Sequence, residues 1–222
     1  MDWLRRNFRT KMKIIDLKTW NRREHFNFYN RLEYPYLNIT ANVNLDRLIP
    51  WIKANGYSVF ATIAYITSLA ANEIPELRLR IRGKQVVEHD VVRSSFTVLA
   101  NDKTFGFATV DYANNFLVFH QRVLDAIQTT RANPSIKDEP GRDDMIFLTT
   151  MTWVSFTQIS HPLPLNPPDS FPRITWGKIF NQQDQILMPL SLNANHALVD
   201  GLHIGQFFEI VQKIMNDSEQ LS

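Results

Sequence analysis

The chain has no cysteine, and that one absence removes disulfides, thiolate metal sites and a cysteine nucleophile together. Nor is there a strong charge of either sign. With 24 basic against 22 acidic side chains the formal charge is +2, which gives no electrostatic reason to expect nucleic acid or an anionic membrane as partner. No apolar run approaches the ~20 residues of a membrane helix, and the opening MDWLRRNFRTKMK carries charge without the apolar region of a secretory signal. These absences point to a cytoplasmic protein whose partner is a small molecule or another subunit. The sequence also lacks internal repeats, low-complexity tracts and any linker that would divide it. What it does have is apolar material: 44% hydrophobic residues in a 222-residue chain suffice for one domain with a substantial core. Organised sequence begins at Ile14. Residues 1–13 therefore read as a peripheral segment in which Met1 and Met12 are both possible starts, 14–216 as the single domain and 217–222 as a tail.

Periodicity supplies the elements. LKTWNRREHFNFYNR reads as a first helix and YLNITANVNL as an alternating strand. Ser58 is placed to cap VFATIAYITSLAANEI, a run apolar nearly all round that must stop at Pro75 and so reads as a buried helix. RLRIRGKQVVEHD has extended segments on either side of a turn at Gly83, and FTVLANDKTFGFATVDY is a hairpin turning at Asn101 to Lys103. Phe116, Val118, Phe119, Val123, Ala126 and Ile127 keep helical spacing, ANPSIKDEPGRDD is a loop, and MIFLTTMTWVSFTQI returns to strand. SHPLPLNPPDSFPRI is a proline-rich connection of the length that usually serves function or contacts. QILMPLSLNANH is the last strand, followed by a helix from about Leu202 to Asn216. Strands and helices mix without a regular βαβ repeat, so the fold class is α+β.

The stretch NANHALVDGLHIGQFF ends that last strand. Leu190, Leu192, Ala194 and His196 share one face by alternation, and Ser191, Asn193 and Asn195 the other, which sets a histidine in the apolar register. A neutral imidazole there can act as a general base near neutral pH. Taken by spacing alone, a lone histidine near a strand end is more often a satisfied structural residue than a catalyst. The His-x-x-x-Asp spacing has no third metal ligand nearby, and no Gly-x-Ser-x-Gly elbow occurs, so metal and hydrolase readings are weak and no metal is expected. His89 and His120 read as surface residues.

NHALVDGLHIGQFFEIVQ is similar to the terminal signature of the chloramphenicol acetyltransferases, His-His-Ala-x-x-Asp-Gly before a last helix. DLKTWNRREHFNFY, FTVLANDKTFGFAT, TWVSFT and ITWGKIFNQQDQILMPL match in order, so the resemblance runs from Ile14 to Met215. It implies a two-layer coenzyme A-dependent acyltransferase fold, a mixed sheet with helices packed on it, and transfer of acetyl from acetyl-CoA to a hydroxyl of chloramphenicol or a similar acceptor. It also implies a homotrimer with interfacial sites, without metal, nucleic acid or membrane. Different hydroxylated acceptors, or a non-catalytic binding protein of the same fold, are the alternatives. Carried over by position, His196 is the base, Thr149 stands where the family has a serine donor to the oxyanion, and Asp200 pairs with Arg22. Phe28, Tyr29, Phe105 and Thr175 match acceptor-pocket positions, the last a threonine that holds a water. Phe107 replaces a small residue there, and His161 and Arg173 replace aliphatic ones. Trp153 and Lys178 match the coenzyme A side. Gly201 is expected to make the sharp turn into the helix, and Asn195, in place of the first signature histidine, is expected to matter little.

Overall fold

The computed structural model describes residues 11–137 and 139–221. Its elements in chain order are β1 (Met12–Ile14), α1 (Arg23–Tyr29), β2 (Tyr36–Asn44), α2 (Leu48–Asn55), α3 (Val59–Glu73), β3 (Leu79–Arg82), β4 (Gln85–His89), β5 (Arg93–Leu99), β6 (Phe105–Val110), α4 (Phe116–Ala132), β7 (Met145–Met151), β8 (Arg173–Gly177), β9 (Phe180–Gln182), β10 (Gln185–Asn195) and α5 (Gly201–Asn216). The main sheet has seven strands in the order β2-β10-β8-β7-β5-β6, with β9 paired to the start of β10. It is mixed: β5, β7 and β8 run parallel, while the β5–β6, β8–β10 and β10–β2 pairs are antiparallel. β1, β4 and β3 form a small second sheet.

One face of β10 explains the layers. Leu190, Leu192 and Ala194 are buried with Ile174 of β8, Leu148 of β7 and Phe207 of α5 in one core that also holds Ile63 and Ile66 of α3. The opposite face carries Ser191, Asn193 and Asn195 beside Arg173 and Thr175, and the proline-rich segment lies over it as a strap. Asn38 Nδ2 donates to Ile159 C=O at 2.7 Å, and His161 Nε2 meets Thr175 Oγ1 at 3.0 Å. Ser58 caps α3 by accepting from Ala61 N–H, and Asn115 caps α4 in the same way at Val118.

Several expectations need correction. The first helix is shorter than its apolar spacing suggests: the Asp16 side chain takes the Lys18 N–H at 2.9 Å, and residues 17–19 form a turn ahead of it. Helix α2 was not anticipated; Pro50 falls in its first turn, where a missing N–H costs nothing, and Gly56 ends it at φ +69°. β7 stops at Met151 and the following residues form a loop. The peripheral segment 1–13 lies mostly outside the described residues, but Met12 and Lys13 belong to β1, and Ser218 of the supposed tail is buried. His89 and His120 are buried rather than on the surface: His89 Nε2 meets Asp143 at 3.0 Å, and His120 Nε2 accepts the Ser58 N–H at 3.0 Å.

Candidate active site

His196 is the first residue beyond β10, at the head of a tight turn. Its N–H donates to Pro35 C=O at 2.6 Å, and its ring lies on Tyr29, centroids 3.9 Å apart and planes 15° apart. Nδ1 is 3.0 Å from Val199 C=O. A carbonyl only accepts, so this bond needs the proton on Nδ1 and leaves the Nε2 lone pair of the neutral ring free to take a proton. Asp200 Oδ1 is further from Nδ1, at 3.4 Å. Its carboxylate is instead held in a two-pronged pair by Arg22, with Nη2 to Oδ1 at 2.9 Å and Nη1 to Oδ2. The Arg22 bond holds the Asp200 carboxyl below its usual range. His203 Nδ1 accepts the Asp200 N–H at 2.9 Å, and burial pushes its imidazole below 6.5. Gly201 is the first helical residue, directly after the turn, and has no positive φ. Phe28 stands edge-on to Tyr29 and is largely exposed.

A second group collects around a cleft of about 940 Å³ between the N-terminus of α3, the C-terminal half of α4 and the sheet. Thr149, Phe105, Trp153 and Lys178 line it, together with Thr150 and Arg131, which the sequence did not single out. The loop carrying Trp153 is fixed by Lys178 N–H donating to Val154 C=O at 2.9 Å. That approach requires glycine at 177, because a Cβ would sit 2.6 Å from Pro189 Cγ and 2.9 Å from the Val154 oxygen. Trp153 is 68% exposed, and Phe105 and Phe107 form a pair with centroids 5.9 Å apart at the surface.

Between the groups lie Thr175, His161 and Arg173. Thr175 is fully buried with its hydroxyl engaged by His161, so the position expected to hold a water is occupied by an imidazole. Burial, helped by Arg173, pushes His161 below 6.5. Arg173 is not a free rim charge: its guanidinium grips Asp169 at 3.0 and 2.5 Å.

Register measures how far apart the first two groups are. Thr149 pairs with Thr175, which pairs with Ser191, and His196 is five residues further along the chain, one past the end of β10. At ~3.4 Å per residue and ~4.8 Å per strand, the backbones of Thr149 and His196 in one chain are about 20 Å apart.

This arrangement has close relatives among known proteins. Residues 10–212 match the family Chloramphenicol acetyltransferase. The chain belongs to the chloramphenicol acetyltransferase family. A chloramphenicol acetyltransferase of Clostridium perfringens is 30% identical over 213 residues, covering 94% of this chain and 97% of the relative, and one of Proteus mirabilis is 26% identical over 212 residues, covering 94% and 97%. A solved chloramphenicol acetyltransferase superposes with a TM-score of 0.81 at 26% identity, covering 92% of this chain and all of the other. The fold extends beyond the family: a structure titled probable dihydrolipoamide acetyltransferase from Listeria monocytogenes, 16% identical, gives a TM-score of 0.66 over 90% of each chain. A chloramphenicol acetyltransferase fold thus holds the signature histidine and the aromatic cleft at opposite parts of one sheet.

Proposed function

We propose that the protein transfers the acetyl group of acetyl-CoA to a hydroxyl of chloramphenicol or a similar small acceptor. Family membership gives the reaction. The observation that supports His196 as the base is the Nδ1–Val199 bond, which leaves Nε2 available. Nε2 takes the acceptor's hydroxyl proton as its oxygen attacks the thioester carbon. The carbon–oxygen bond forms, the tetrahedral oxyanion collapses, the carbon–sulfur bond breaks, and the proton passes from Nε2 to the departing sulfur. Thr149 is the hydroxyl donor to the oxyanion, a role worth roughly 3 kcal/mol for one such donor. Asp200 and Arg22 hold the turn, Phe28, Tyr29, Phe105 and Phe107 face the acceptor, and Trp153 and Lys178 lie along coenzyme A.

The separation of about 20 Å within one chain favours a site shared between subunits, His196 from one and Thr149 from its neighbour, in a homotrimer. Exposure of Phe28, Phe105 and Trp153 on the single chain fits such an interface. Among the described residues no helix is long and apolar enough to cross a membrane. The cytoplasm, where acetyl-CoA is available, is the compartment this reading implies.

A thiol-release assay with acetyl-CoA and a panel of hydroxylated acceptors tests the reaction. Turnover of chloramphenicol, abolished by His196→Ala, is the expected result; transfer to other acceptors only would move the substrate assignment, and binding without turnover would end the enzyme reading.

A further inference from the structure

We infer that Asn195 is a positioning residue: it hooks the proline-rich strap to the turn that presents His196. The inference rests on His196 being the base. Asn195 is 2% exposed, and both ends of its carboxamide are engaged. Oδ1 accepts the Ala197 N–H at 3.0 Å, within the turn, and Nδ2 donates to Asp169 C=O at 2.9 Å, in the strap. Its backbone carbonyl also accepts from Leu198 and Val199 at 3.0 Å each. One residue therefore ties three successive amides of the turn. The last of them belongs to Val199, whose carbonyl faces His196 Nδ1. Moving Asn195 moves that acceptor, and with it the tautomer that leaves Nε2 free.

The strap end of the hook is anchored separately. Arg173 of β8 holds the Asp169 carboxylate, and the Asp169 N–H donates to the phenol oxygen of Tyr36 at 2.9 Å. The Tyr36 hydroxyl in turn donates to Pro164 C=O at 3.1 Å. Tyr36 is the cross-strand partner of Asn195, and its neighbour Pro35 takes the His196 N–H. Strap, edge strand and histidine turn thus meet at one carboxamide. An amide suits that place because it donates to one carbonyl while accepting one N–H, without charge. Arg173 and Asp169 act on the imidazole through this hook, which gives the arginine a role other than touching the acceptor.

Asn195→Ala and Asn195→Asp, with His196→Ala alongside, test this. The readouts are kcat, the KM values for acetyl-CoA and chloramphenicol, and the ¹⁵N signature of the His196 tautomer. The aspartate keeps an acceptor for Ala197 but cannot donate to the Asp169 carbonyl, so it breaks the hook while sparing the turn bond. Both Asn195 variants should lose about 10–100-fold in kcat, the scale of a misplaced catalytic group. Both KM values should hold within about twofold, and the ¹⁵N spectrum should change from Nδ1–H to a tautomer mixture. Should the alanine variant fail to fold, the aspartate variant carries the test. A folded Asn195→Asp protein with wild-type kcat and tautomer, or with a change in KM alone, would overturn the inference. Turnover retained in His196→Ala would instead overturn the base assignment, while the tautomer spectrum would still report whether the hook holds the ring.

Discussion

The imidazole of His196 lies flat on the phenol ring of Tyr29, 3.9 Å between centroids, although the two stand 167 positions apart in the chain. The stack limits rotation of the ring about the one bond to Val199 that sets its tautomer. Stacking needs the ring and not the hydroxyl, so Tyr29→Phe should keep kcat within about twofold. Tyr29→Ala should lower it about 3–10-fold, corresponding to the 0.5–1.5 kcal/mol of an aromatic pair. Steady-state kinetics of the two variants decide this; equal losses would show that the hydroxyl matters.

Arg22 and Asp200 should behave as one unit. Arg22→Ala leaves a partly buried carboxylate without its partner and should cost about 1–3 kcal/mol of stability, and the double variant should be less damaged than the two single losses added together. The Asp200 pKa is depressed in the folded state from 3.8. The stabilisation is therefore complete above 3.8 and is lost as pH falls through the folded value. Urea unfolding of wild type and Asp200→Asn should diverge at pH 7 and converge in strong acid; a constant gap would refute the linkage.

Thr149 should reveal itself by its hydroxyl. Thr149→Val keeps the branched shape and removes the donor, so kcat should drop about 100–1000-fold, while Thr149→Ser should stay within a few-fold of wild type. A Val variant with near-normal kcat would take Thr149 out of the reaction.

Subunit mixing tests the shared site. His196→Ala and Thr149→Val chains, each inactive alone, should regain turnover when co-expressed, because some interfaces then pair an intact His196 with an intact Thr149. A dead mixture of properly assembled chains would place both groups on one chain, against the separation of about 20 Å given by the strand spacing.

His161 links the strap to pH. Its folded-state pKa lies below 6.5, chiefly through burial. Below 6.5 the unfolded chain binds more protons, so this share of stability is full above 6.5 and declines as pH falls toward the folded value. His161→Leu should reduce the loss of stability between pH 7.5 and pH 5. Part of the slope should persist, because His120 and His203 are shifted the same way. An unchanged slope would mean that His161 does not contribute.

Much of the architecture could be read from pattern alone. The strand 185–195, the helix 59–73 with its serine cap and the hairpin at 101–103 all follow from local period and turn chemistry, which act over a few residues. The signature around His196 and the pairing of Arg22 with Asp200 came through resemblance, which carries contacts that spacing cannot. Burial of His89 and His120 was missed because each is satisfied by a partner distant in sequence, Asp143 and Ser58. The partner of Asn195 was hidden for the same reason: alternation places its side chain on the polar face but cannot show that Asp169 waits there.

The sequence by itself determined the α+β elements, the absence of thiol chemistry and the identity of the groups able to move a proton, since these depend on residue types and short-range geometry. Only the tertiary structure decided which of those groups meet. It set Tyr29 on His196, turned Arg173 away from solvent onto Asp169, and put Thr149 two strands and several residues from His196. Such distances are fixed by strand order and register across the sheet, which the chain settles through contacts remote in sequence rather than through any local stretch of it.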